Sequence, residues 1–132
     1  EKSGAAYTSL GASTLSQVAA IAAWKHCSRW LDGFVAHLRS QRDFACNRIS
    51  KLAGVSVSVP EATFVLFPDI SNTGLSAEEL SEHLRQYAKV AVVPGSKRWF
   101  GPGAIGHIRL SLATTRDILT DALDRIESNW PV

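Results

Sequence analysis

Residues 106–112, Gly-His-Ile-Arg-Leu-Ser-Leu, restrict the possible folds more than any other stretch of the chain. Side chains alternate sides along an extended strand. Ile108, Leu110 and Leu112 therefore point one way, toward packed helices, and His107, Arg109 and Ser111 point the other, into a polar or ligand-facing space. A guanidinium is costly to bury and keeps its proton, so Arg109 between two apolar residues calls for a fixed anion. Two anions stay open on the pattern alone. One is a carboxylate of the protein, Asp69 or a nearby glutamate; the other is a ligand carboxylate taken bidentately by the guanidinium fork.

The loop ahead of this strand, Gly101-Pro-Gly103-Ala-Ile-Gly106, matches G-x-G-x-x-G letter for letter. A dinucleotide fingerprint needs a strand before it and a helix after it, so that the helix N-terminus meets pyrophosphate. Here a strand follows, and Pro102 removes an amide donor. The glycines read as a loop that re-aims a strand. His107 reads as a surface or hydrogen-bonded histidine. His26, His37 and His83 stand at spacings unrelated to any metal site, and Cys27 and Cys46 read as buried or idle thiols. Ser111 has no base nearby in sequence to activate it. Lys97-Arg-Trp-Phe100 is a basic-aromatic loop, read by default as surface decoration, with the lining of a cleft or of a partner surface as the alternative.

Periodicity orders the rest of the chain. A helix begins near Ser13, with Leu15, Val18, Ala19, Ala22 and Ala23 on one face; a break is expected near Ser28, because one helix through to Leu52 would be long for a small domain. The second helix carries Trp30, Leu31, Phe34, Val35, Leu38, Ala45, Ile49 and Leu52, and stops by Gly54. Strands are expected over Val55–Val59, Thr63–Phe67, Val90–Val93 and Gly106–Leu112. Ser76-Ala-Glu-Glu79 is a capping box for a helix that buries Leu80, Leu84 and Tyr87. Thr114–Asp117 caps a last helix with Ile118, Leu119, Ala122, Leu123 and Ile126 on its apolar stripe. The expected class is α+β, a small sheet with helices packed on one face.

Composition removes several functions. At 132 residues the chain is long enough for a real core. Its 14 basic and 12 acidic side chains nearly cancel and are scattered, which argues against nucleic acid as a partner. No apolar run approaches the roughly 20 residues of a membrane span. The two cysteines fit a reduced, cytoplasmic chain better than a single secreted disulfide. The sequence holds no methionine, and Glu1 stands first, so an excised piece or a processed product is expected.

Several segments together carry a family resemblance. They are Pro60-Glu-Ala-Thr-Phe-Val-Leu-Phe-Pro-Asp69, Val92-Val-Pro-Gly95, Phe100-Gly101, Gly106-His-Ile-Arg109-Leu-Ser-Leu-Ala113, and the closing Ala122-Leu123 with Arg125-Ile126. In this order they resemble the C-terminal domain of class I/II aminotransferases, fold-type I enzymes dependent on pyridoxal phosphate. The similarity spans roughly residues 13–128. It implies the small domain of the fold-type I transferase fold over residues 29–132. Residues 1–28 become a lead-in and the last helix of an absent large domain.

The resemblance gives Arg109 the role of gripping the substrate α-carboxylate. It places the Schiff-base lysine and the cofactor-holding residues in the large domain, so this chain would hold no catalytic, cofactor-binding or metal-binding residue and be inactive alone. It further implies amino-acid and 2-oxo-acid substrates and a homodimer. Ala62-Thr63 stand where transaminases often carry glycines, and Pro60–Phe64 leans toward carbon–sulfur β-lyases; Arg109–Ala113 is more transaminase-like. A β-lyase domain and a non-catalytic amino-acid-binding or interaction module are the alternatives.

Overall fold

The computed structural model describes residues 13–131, and the lead-in expected over residues 1–12 lies outside them. The chain divides into two units, Glu1–Ala36 and His37–Val132. In the first, α1 (Thr14–His26) opens at Ser13, whose Oγ accepts the Ser16 amide at 3.2 Å. α2 (Ser28–Ile49) starts after a break at Cys27, one residue before the expected place. No residue of α1 is buried. Ile21 and Trp24 join Leu15 and Val18 at its exposed surface, so apolar side chains are spread around the helix rather than gathered on one stripe. Trp30 stacks on Phe34, ring centroids 5.1 Å apart.

The second unit is built on a three-stranded antiparallel sheet in the order β1-β3-β2. β1 (Val65–Leu66) and β2 (Val93–Pro94) flank the central β3 (Ile108–Ser111). Val65 faces Ser111, Leu66 faces Leu110, Val93 faces Arg109 and Pro94 faces Ile108. Proline is tolerated in β2 because that strand is an edge. Leu66, Ile108, Leu110 and Leu112 belong to one buried core with Ala45 and Ile49 of α2. Leu80 comes from α3 (Ala77–His83), and Leu119, Leu123 and Ile126 come from α5 (Arg116–Ser128). The α+β class is the one the sequence pattern gives, with fewer and shorter strands.

The differences have local causes. Val55–Val59 forms no strand: only Ser56 pairs, its N–H and C=O both bonded to Asp69 at 2.9 Å, and Pro60 ahead offers no donor. The expected 90–93 strand shrinks because Lys89, at φ +55°, turns the chain just before it, and the Val92 carbonyl accepts from Ser81 Oγ at 2.9 Å. α2 stops at Ile49, not Leu52, where i→i+3 bonds from Lys51 and Leu52 (both 3.1 Å) tighten its end into a turn. The capping box is present: Ser76 Oγ accepts the Glu79 amide, and Glu79 Oε2 accepts the Ser76 amide at 2.9 Å. Those bonds hold the Glu79 carboxyl below its ordinary pKa. After His83 the helix widens into a π-helical turn, Leu84–Ala88, which takes Tyr87 out of register with Leu80 and Leu84 and leaves it exposed. On α5, Ile118 is exposed as well, since it lies a full residue step around the helix from Leu119.

β1 is cut short at its start by Thr63, at φ +71°. A β-branched side chain in the left-handed region is strained by about 1–2 kcal/mol. Thr63 offsets part of this by accepting the Val65 amide on Oγ1 at 3.3 Å. Thr63→Gly is therefore expected to stabilise the domain by about 0.5–1 kcal/mol, read as a higher urea midpoint at unchanged slope.

Candidate functional site

Arg109 lies on the solvent face of β3, alternating with the buried Ile108 and Leu110. This is the outward parity that period-2 alternation predicts for it. It borders an open groove of about 450 Å³ lined by Val65, Phe67, Phe100, Gly103, Ala104 and Arg109. Among the described residues no carboxylate pairs with it, whereas Arg48, Arg85 and Arg125 are each held by acidic side chains. Its recorded partner is the Phe100 ring, with Cζ 5.6 Å from the centroid.

Asp69, the protein carboxylate weighed for Arg109, is used elsewhere. Its Oδ1 accepts the Ser71 amide at 2.8 Å, and bonds from the Ser71 side chain and backbone hold its carboxyl below the usual range. Its backbone joins Ser56 on one side and His107 on the other. Asp69 is a corner of the fold, and among the described residues neither it nor any other carboxylate pairs with Arg109.

The aromatic wall has a local origin. α4 (Lys97–Phe100) is a single helical turn ended by Gly101 at φ +83°, ψ 177°, a region essentially closed to side chains. That turn sets the Phe100 ring against Phe67 at 5.7 Å. Phe67 follows Val65 on the same strand parity, so it shares a face with Arg109. His107 stacks on the far side of this group, its ring 5.0 Å from Phe67 and 15° from parallel, with Nδ1 3.2 Å from the Ile105 carbonyl oxygen. The loop is closed at its base by Gly95. Its amide donates to the His107 carbonyl at 2.8 Å, and a Cβ there would stand 2.0 Å from the Ala104 carbonyl oxygen.

The remaining candidates are placed apart from the groove. His37 bonds the Thr114 carbonyl and His83 the Asn129 carbonyl. Cys27 is exposed, Cys46 is buried, and both are free thiols; burial pushes the Cys46 pKa up. Among the described residues, no three His, Cys, Asp or Glu gather as a metal site, and no helix is long and apolar enough to cross a membrane. The glycine-rich loop forms a short 3₁₀ turn, Pro102–Ala104, and then enters β3, with no helix N-terminus offered to a phosphate. Phe67 and Val65 escaped the sequence reading. Their alternation with Leu66 was visible, but nothing local tells which strand lies beside β3.

A small antiparallel sheet with helices on one face recurs in known proteins. The family model for aminotransferase class I and II matches residues 2–126. The aspartate aminotransferase of Pyrococcus horikoshii is 33% identical over 124 residues, 92% of this chain and 31% of that protein. A pyridoxal phosphate-bound putative aminotransferase from Clostridium difficile superposes with a TM-score of 0.74 at 39% identity, over 80% of this chain and 27% of the other. A putative pyridoxal phosphate-dependent β-cystathionase from Corynebacterium diphtheriae gives 0.79 at 35% identity, over 90% of this chain and 31% of the other. The chain belongs to the class I and II aminotransferase family, and spans about a third or less of the length of these relatives. Its fold is that of the small domain of fold-type I enzymes.

The lining of the Arg109 groove does not fit pyridoxal phosphate. The Arg109 groove contains no lysine for an imine and no carboxylate for the pyridine nitrogen. Lys51 and Lys97 line other surface hollows.

Proposed function

We propose that this chain is the C-terminal small domain of a pyridoxal phosphate-dependent aminotransferase, and that Arg109 takes the α-carboxylate of its amino-acid and 2-oxo-acid substrates. The observation that carries this is an exposed guanidinium in an apolar groove with no carboxylate beside it among the described residues. In-plane N–H donors of such a fork match both oxygens of a carboxylate, which fixes the substrate's Cα as well as its charge. In this reading residues 29–132 form the small domain, and residues up to 28 end the large one. The lysine and the cofactor's holding residues belong to that large domain, and the complete enzyme works as a homodimer.

A β-lyase is the second reading, favoured by the likeness to the Corynebacterium diphtheriae β-cystathionase and by Pro60–Phe64. Product analysis of the complete enzyme separates the two. Given an amino acid and a different 2-oxo acid, it is expected to yield the exchanged pair in equal amounts. Release of thiol and pyruvate from a thioether amino acid, without exchange, would assign the lyase instead.

A further inference from the structure

We infer that Phe100 is a positioning residue for Arg109: its ring holds the guanidinium from the face and so leaves the in-plane donors free for a carboxylate. This rests on the reading of Arg109 as the carboxylate grip and names the group that keeps it in place.

The reasoning begins with what can hold a flexible arginine on an open strand. A carboxylate would, as Glu127 and Asp124 hold Arg48, but it would occupy the fork and cancel its charge. An aromatic face attracts the cation through the ring quadrupole and leaves every N–H edge unused. Arg109 has this second arrangement, with Cζ 5.6 Å from the Phe100 centroid. The ring is itself braced. Phe67 packs on it at 5.7 Å, and His107 stacks on Phe67 at 5.0 Å, giving a continuous row from His107 to Arg109 along one face of the sheet. Gly101 at φ +83° ends the turn that delivers Phe100, so the ring's position is set by the backbone as well as by its neighbours. A bound carboxylate also excludes water from the groove, and cation–π attraction strengthens on desolvation.

The test compares Phe100→Leu, Phe100→Tyr and Arg109→Leu in the complete enzyme, with KM and kcat for the amino-acid substrate measured separately. Phe100→Leu is expected to raise KM about 5- to 10-fold, the scale of one partly desolvated cation–π contact, with kcat at saturation within twofold. Phe100→Tyr, which keeps the ring, should restore KM to within twofold. In nitrogen-labelled protein, the Arg109 Nε–H resonance should carry a ring-current shift that Tyr preserves and Leu removes. If Arg109→Leu raises KM while Phe100→Leu leaves it unchanged, Phe100 does not position the grip and the inference fails alone. If Arg109→Leu leaves KM unchanged, the grip itself is wrong and the inference falls with it. A loss in Phe100→Leu that Tyr does not rescue also overturns it.

Discussion

Arg109→Leu in the complete enzyme is expected to raise KM for the amino-acid substrate about 10²- to 10³-fold. The estimate follows from two charge-assisted hydrogen bonds to one carboxylate, each worth about 1.5–3 kcal/mol, less what water returns to the freed carboxylate. Folding should be untouched, because Arg109 is exposed and pairs with no carboxylate among the described residues. A thermal melt matching the parent chain would establish that control. Arg109→Lys restores the charge without the fork and should recover only part of the loss. Steady-state kinetics with a 2-oxo acid as the varied substrate should show the same penalty, since both substrates carry the carboxylate. Unchanged KM for both in Arg109→Leu would remove Arg109 from substrate binding.

The second large effect is on folding, at Gly95. A methyl group there would meet the Ala104 carbonyl oxygen at 2.0 Å and the His107 carbonyl oxygen at 2.7 Å. Both are backbone atoms, so no side chain can swing aside. Gly95→Ala must push β2 and the 95–107 loop apart, breaking the Gly95 amide bond to His107 (2.8 Å). Overpacking of this kind costs about 3 kcal/mol, and losing the bond adds about 1 more. Urea unfolding should show a lower midpoint, with the extrapolated unfolding free energy reduced by about that amount. Because the displaced loop carries Phe100, the substrate KM should rise too, in contrast to a core variant such as Leu123→Ala, which destabilises without moving the loop. Wild-type stability in Gly95→Ala would mean that the loop yields freely at its base.

What the sequence disclosed follows from the range of each signal. Capping is local, so Ser76 with Glu79 marks the start of α3, while the cap expected from Thr114–Asp117 lies one residue further on, where Thr115 accepts the Ile118 amide. Alternation is local, so β3 and the outward parity of Arg109 were readable from residues 106–112 alone. Strand ends are decided by pairing and by backbone angle. Val55–Val59 has the right letters and no partner strand, and Thr63 adopts a left-handed angle that its residue type disfavours. The groove is longer-ranged still. Phe67 and Phe100 stand 33 positions apart and meet only because β1 pairs beside β3 and Gly95 shuts the loop. The basic-aromatic loop therefore contributes one wall of the groove through Phe100, the cleft-lining alternative to its default reading as decoration.

β3 interleaves two sets of positions on one short strand. Ile108, Leu110 and Leu112 are committed to the core, while Arg109 and Ser111 face outward and are exposed. The two sets can be edited independently. Substitutions at 111 alter the surface beside Arg109 without spending stability, and substitutions at 108 and 110 tune stability without changing what the groove displays. A domain arranged in this way can diversify its chemistry by drift on one side of a strand while selection for folding acts on the other.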